Sequence, residues 1–381
     1  MLYHDLLGHR VSALGMGCMR LPNGGQPGQV DREAAIALIR RAYESGVNYF
    51  DTAYVYCGGE SEKIVGEALS IYPRESYFIA TKFPGLHVPE GGWTREKVRA
   101  TFEEQLARLG TYIDFYMLHG VMESDYEIYT DPAIDLPGEF LARKQNGEIR
   151  HFGFSTHART DTLKKFFQWQ DCFEFAQMQL NYLDWTLQDA QGVYQLLREH
   201  SLPIIAMEPC RGGKLAQLAP EVEAAMRAAR PEDSIASWAF RWVKALPGVA
   251  VTLSGMNTRE QLEDNLKTFA DDEALGEADV ALLREKAVPA LAEMVPCTGC
   301  RYCCAECPQQ LNIPRLLSIY NEMKFDNRSF MLGALKEADL PGNCLECGAC
   351  RQVCPQNIAI PELLKDLDQR IAEAQKNRAR R

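Results

Sequence analysis

The chain reads as an α/β protein: a (β/α)8 barrel followed by a small, mainly helical, cysteine-rich domain. Two observations carry that reading. Eight short β-rich runs alternate with amphipathic helical stretches over about 280 residues, the size and rhythm of an eight-fold strand–helix barrel. Nine of the thirteen cysteines then fall in the last 85 of 381 residues, in two blocks of identical spacing.

The strand candidates, in order, are Val11–Leu14, Val47–Phe50, Tyr77–Ala80, Ile113–Met117, His151–Phe154, Phe175–Leu180, Pro203–Met207 and Val249–Leu253. Each is short and rich in β-branched or aromatic residues. One intervening helix starts at Asp31, a good N-cap, and runs to Ser45 with Gly46 as its stop. Ala35, Leu38, Ile39 and Ala42 line one of its faces. Another follows Thr94, carries Val98, Phe102, Leu106 and Leu109, and ends at Gly110. A doubly wound sheet would alternate in the same way, but Gly15-Met-Gly17-Cys-Met19 does not match the glycine fingerprint that such a sheet places after its first strand.

In a barrel of this kind the C-terminal ends of the strands carry the active site. Three successive strand candidates run into Asp51, Lys82 and His119. Taken singly, an Asp in Asp-Thr-Ala is a helix cap, Tyr56 a core aromatic and Lys82 a snorkelling surface residue. Taken together, an acid, an amine and an imidazole converge on one mouth.

These residues resemble the aldo-keto reductase family, whose pattern is a strand-end Asp, a Tyr five residues on, a strand-end Lys and a strand-end His. Here they are Asp51, Tyr56, Lys82 and His119. Supporting matches include Arg108-Leu-Gly-Thr-Tyr-Ile-Asp114, Gly147-Glu-Ile-Arg150-His-Phe-Gly-Phe-Ser155, Gln179-Leu-Asn181-Tyr182 and the stretch from Gly255 to Asn265. The resemblance implies carbonyl reduction with NADP(H), NAD(H) being the alternative. Tyr56 would be the general acid, with Lys82 drawing its pKa down from about 10 toward working pH. Asp51 would hold Lys82 charged, and His119 would orient the carbonyl oxygen. His4, His9, His87, His151, His157 and His200 receive no catalytic role, although His157 would border the pocket.

For the nucleotide, the resemblance points to Ser155 and Gln179 at the nicotinamide carboxamide, with Thr156 replacing the family's common Asn. Met207 stands where an aromatic often stacks on the ring. Gly255 and Gln261 align with the Lys and Arg that many members place on the 2′-phosphate. Asp264 and Asn265 match an acidic–amide pair at adenine. Lys214 or Arg259 would supply the missing positive charge.

The cysteine blocks read Cys297-Thr-Gly-Cys300-Arg-Tyr-Cys303-Cys304-Ala-Glu-Cys307-Pro308 and Cys344-Leu-Glu-Cys347-Gly-Ala-Cys350-Arg-Gln-Val-Cys354-Pro355. Both are C-x2-C-x2-C-x3-C-P, so residues 290–362 resemble a two-cluster bacterial ferredoxin, in which the fourth cysteine of each block serves the other cluster. That resemblance implies two [4Fe-4S] clusters, one on Cys297, Cys300, Cys303 and Cys354, the other on Cys344, Cys347, Cys350 and Cys307. Alone, Cys297, Cys300, Cys304 and Cys307 would also read as paired zinc ligands. The second block has Arg351 where the first has Cys304, which makes Cys304 the spare.

The expected organisation is a barrel over 1–270, a helical connector over 271–292 and a ferredoxin-like domain with a helical tail over 293–381. Helical stretches are expected at Leu316–Met323 and Phe330–Glu337. A net charge of −11 argues against nucleic acid. No apolar run reaches the ~20 residues that span a bilayer, and the first residues lack a signal-peptide pattern. Thiols in such number suit the cytoplasm. The expected partners are a small carbonyl substrate and a redox protein for the clusters; oligomeric state is not legible. The rival reading is a nucleotide-binding module for redox sensing or electron transfer, without useful carbonyl turnover.

Overall fold

Eight parallel strands close into a barrel: β3 (Leu14–Gly17), β4 (Tyr49–Asp51), β5 (Phe78–Phe83), β6 (Ile113–Val121), β7 (Ile149–Thr156), β8 (Ala176–Gln179), β9 (Ile204–Met207) and β10 (Val249–Ser254), with β10 pairing back to β3. An antiparallel hairpin, β1 (Tyr3–Leu6) and β2 (His9–Ser12), precedes them. These features come from a computed structural model, which describes all residues except 24–28, 86, 123–125, 292–294, 296, 298–301, 327–334, 336, 355–357 and 380–381. The chain divides into two units, Met1–Ala287 and Val288–Arg381.

In the first unit the strands are buried on both faces, inside by one another's side chains and outside by helices, as parallel strands require. All six residues of β5 are buried. The helices start and stop where local chemistry dictates. Asp31 accepts a hydrogen bond from the Ala34 N–H at 3.0 Å, Thr94 does the same for Lys97, and Gly110 ends the second helix in the left-handed region at φ 69°. At Gly153 a Cβ would sit 2.5 Å from the Phe175 carbonyl oxygen, so the approach of β7 to β8 admits only glycine.

The first expected strand, Val11–Leu14, is split. Val11 and Ser12 finish the hairpin, and the barrel begins at Leu14 after a one-residue bend. The apolar pattern runs through both strands without a break. The turn that separates β1 from β2 is Leu7-Gly8, with φ of 54° and 83°, and a Leu in that conformation gives no turn signal in sequence. Leu6 and Val11 join the cluster of Tyr49, Phe78, Phe115 and Ala250, residues near the N-terminal ends of their strands, so the hairpin plugs that end of the barrel.

The described part of the second unit is helical. Its helices Ile313–Asp326 and Ile360–Ala379 pack Leu316, Leu317, Ile319, Leu364 and Leu367 into one core, joined by Cys303 and Cys350. The expected stretch Leu316–Met323 lies inside the first of these helices. Phe330–Glu337 falls almost wholly outside the described residues. No helix among the described residues is long and apolar enough to cross a membrane.

Candidate active site

Strand register explains why Asp51, Lys82 and His119 meet. Asp51 pairs with Ala80, and Lys82, two residues on, points to the same face. Lys82 pairs with Met117, and His119 is again two residues on. Each step climbs by two residues, as strand tilt in a closed barrel demands, and keeps the side chain turned inward. All three lie at or near the C-terminal ends of their strands.

The Lys82 ammonium is fully buried, 2.7 and 2.8 Å from the Asp51 carboxylate oxygens and 2.7 Å from the Thr52 carbonyl. Tyr56 opens the tight turn Tyr56–Gly59 after β4; its ring centre lies 4.9 Å from Lys82 Nζ and 5.7 Å from the His119 ring. Tyr129 donates a short hydrogen bond to the His119 carbonyl, fixing the backbone within the register shift between Leu118 and Val121 of β6.

Burial disfavours the charge on Lys82, but Asp51 and Tyr56 outweigh it and raise its proton affinity. Burial also raises Asp51, against the pull of Lys82 and the Gln177 amide. For Tyr56, burial raises the pKa; Lys82 pulls it down and Asp51 adds to the rise, leaving the phenol above its ordinary value. The expected lowering by Lys82 is therefore present but outweighed. His119 is driven well below the usual imidazole value by burial, then by Lys82, His157 and His87, so it is neutral at working pH.

Ser155, Gln179 and Met207 stand at or near the ends of adjacent strands β7, β8 and β9, with Gln179 in register with Met207. Ser155 Oγ accepts from the Gly120 N–H at 2.8 Å. Lys214 lies in the turn Arg211–Ala216, where Gly212 and Gly213 take positive φ. Gly255 follows β10 and lies near Gly17 and Arg20. Arg259 is exposed and 3.6 Å from Glu263. Gln261 accepts from the Asn257 N–H, Asp264 from Ser234 Oγ at 2.6 Å, and buried Asn265 donates to Ser254 Oγ at 2.9 Å. A hydroxyl, an amide and a thioether at one end of the barrel, beside a glycine turn that lets backbone approach closely, fit a nicotinamide dinucleotide.

Three residues of this region escape the sequence reading. Gln177 is buried two residues before Gln179, beside Asp51, with its amide nitrogen 3.5 Å from Met207 Sδ. Period-two alternation along β8 is the signal that would have found it. Asp184 and Arg211, both fully buried, pair at 3.0 Å. They lie 27 residues apart in sequence, on loops after different strands, and no local pattern links them.

In the second unit Cys307, Cys344, Cys347 and Cys350 line one cavity of about 320 Å³, counting its open mouth. The Glu346 N–H points at Cys344 Sγ from 3.4 Å. Burial raises the Cys350 thiol, and Cys344, Cys347 and Cys307 add to the rise. Four cysteines lining one cavity, with a backbone N–H on one of their sulfurs, are a donor set whose chemistry suits a cubane cluster. Cys297, Cys304 and Cys354 pack half-buried against the core with buried Cys303, whereas Cys300 lies outside the described residues.

Comparison with known proteins agrees with both units. Residues 13–287 match the aldo/keto reductase family, and 296–359 match a 4Fe-4S dicluster domain. An uncharacterized oxidoreductase, YqkF, of Bacillus subtilis is 27% identical over 72% of this chain and 92% of its own length. The NADH-specific methylglyoxal reductase of Escherichia coli is 26% identical over 73% and 95%. Among solved structures, the aldo-keto reductase AKR11C1 of Bacillus halodurans aligns with a TM-score of 0.60 at 25% identity, covering 75% of this chain and 96% of its own. With a family match over most of its length and the barrel to go with it, this chain belongs to the aldo/keto reductase family and carries a 4Fe-4S domain C-terminal to its barrel in sequence.

Proposed function

We propose that the barrel is an NAD(P)H-dependent carbonyl reductase with Tyr56 as its general acid. The observation that carries the reading is the buried Lys82–Asp51 pair, with Lys82 Nζ 4.9 Å from the centre of the Tyr56 ring and the neutral His119 ring 5.7 Å from the same centre. A reduced nicotinamide supplies the hydride when bound. The Tyr56 hydroxyl gives its proton to the carbonyl oxygen as charge develops there, and the alcohol leaves with both. Lys82, held by Asp51, stabilises the phenolate left behind, which regains a proton from water. His119, being neutral, donates a hydrogen bond that fixes the carbonyl oxygen without competing for the proton. Ser155, Gln179 and Met207 would hold the nicotinamide ring. Gly255, Arg259, Gln261, Asp264, Asn265 and Lys214 would surround the adenosine end. NADPH is the expected cofactor; NADH stands close behind it, because Gly255 and Gln261 bring no charge and one relative is named for NADH.

In the second unit we propose two [4Fe-4S] clusters, which supply single electrons when bound. Cys307 sharing a cavity with three cysteines of the other block supports the crossed ligand sets.

The deciding test is Tyr56→Phe against a panel of aldehydes and ketones with each nicotinamide. Turnover should fall about 10²–10⁴-fold while nucleotide binding is kept. A panel that shows no Tyr56-dependent turnover would instead favour a nucleotide-binding redox module. Adding NADP⁺ to the anaerobically reduced chain and following cluster EPR reads whether the clusters exchange electrons with the barrel.

A further inference from the structure

Gln179 is one of three buried polar side chains that close on a single carboxylate, that of Asp184. Asp184 Oδ2 accepts from Gln179 Nε2 at 2.6 Å, from Asn181 Nδ2 at 2.7 Å and from Arg211 Nε at 3.0 Å, and Oδ1 lies 3.0 Å from the same arginine nitrogen. An ionised carboxylate only accepts hydrogen bonds, so each neighbour must turn a donor toward it. The Arg211 guanidinium pairs with that buried carboxylate at 3.0 Å, as a buried charge requires. Asn181 is locked in the same sense: its Oδ1 accepts from the N–H groups of Leu183 at 3.1 Å and Asp184 at 2.8 Å, and its Nδ2 also reaches the Glu208 carbonyl at 3.1 Å. The network therefore has one solution, in which Gln179 spends its nitrogen on Asp184.

We infer that the Asp184–Arg211 pair is a positioning device that fixes the polarity of Gln179, so that the site offers the amide oxygen Oε1 and selects a ligand ring bearing a hydrogen-bond donor. The carboxamide N–H2 of a nicotinamide meets that demand; a ring carrying a ketone or a carboxylate in its place does not. The pair also ties the loop after β8 to the loop after β9, where Glu208 and Arg211 both take left-handed φ, of 56° and 46°. This inference rests on the reading of Gln179 as a nicotinamide contact.

The test measures binding, by calorimetry on the full holo chain, of NADP⁺ and of its 3-acetylpyridine analogue, which keeps the acceptor but replaces the N–H2 donor by methyl; the NAD⁺ pair is run alongside. In the wild type the carboxamide form should bind about tenfold tighter, the cost of leaving the buried Gln179 Oε1 without a donor. Asp184→Leu combined with Arg211→Met removes both charges together and so leaves no buried ion unpaired. It should bring the ratio below about threefold with the melting temperature held, and Gln179→Leu should do the same. A merely structural role would weaken both ligands equally and leave the ratio alone. If the ratio collapses in Gln179→Leu but survives in the double variant, the positioning role is overturned while the Gln179 contact stands. If neither variant alters it, or the wild type shows no preference, the contact falls too.

Discussion

Asp51 and Lys82 form a fully buried ion pair, and neither can be lost alone without leaving the other's charge stranded. Asp51→Asn should therefore cost about 3–5 kcal/mol of stability, read as a shift in the urea midpoint, and depress turnover with it. The phenol beside them lies above its ordinary value, so Tyr56 keeps its proton through neutral pH and beyond. The proposed acid thus predicts carbonyl reduction that is flat up to about pH 10, and alcohol oxidation that rises with pH, because the reverse step needs phenolate. An inflection near pH 6.5 in reduction would contradict a neutral His119. Residue types at these positions are legible in sequence because strand-end spacing announces them. The direction of the Tyr56 shift is not, because burial and the Lys82 field oppose each other and only the structure says which is larger.

At the scale of elements, the hairpin that plugs the barrel sets His9 Nε2 2.9 Å from His151 Nε2, with His151 Nδ1 3.0 Å from Glu174. Burial works against charge on Glu174, but hydrogen bonds from His151 and Lys144 win and hold its carboxyl at about 2. Since that value is below the unfolded one, the stabilisation is full above about pH 4.5 and is lost as pH falls toward 2. Glu174→Gln should remove acid-sensitive stability on the order of 2 kcal/mol in pH-dependent urea melts. His9 is lowered by burial, then by His151 and Arg150, with Asp114 and Asp5 opposing. The unfolded chain thus takes up that proton first, and stability should drop as pH falls through about 6.5; His9→Gln should flatten this window. Gly153→Ala forces a Cβ against a backbone carbonyl and should destabilise by about 1–3 kcal/mol, measurable as a lower Tm at unchanged cofactor affinity. Helix limits at Asp31, Thr94 and Gly110 were readable from cap chemistry, whereas the bend at Ala13 was not, because an unbroken apolar pattern hides a change of partner strand.

For the whole molecule, the proposed crossed ligand sets make an unusual demand. Cys307 belongs to the first block in sequence but shares its cavity with Cys344, Cys347 and Cys350 of the second. Cys307→Ala should lower bound iron from about eight to about four atoms per chain, whereas Cys304→Ala should leave it unchanged. Equal iron loss in both variants would argue for a different ligand register. Removing iron should also melt the second unit selectively, since its small core includes the proposed cluster ligands Cys303 and Cys350, and calorimetry should show the barrel transition persisting.

What the sequence determined by itself is whatever repeats or spaces locally: the alternation that makes a barrel, the caps that bound its helices, the order of Asp51, Tyr56, Lys82 and His119, and the doubled cysteine motif. These follow from period and chain direction, which act over a few residues. Tertiary structure alone decided the rest. It brought Gln177 beside Asp51, closed Asp184, Arg211, Asn181 and Gln179 into one network, and left Tyr56 with a raised rather than lowered pKa. Each of these depends on strand register and on how much water burial removes, and both are properties of the closed barrel rather than of any one segment.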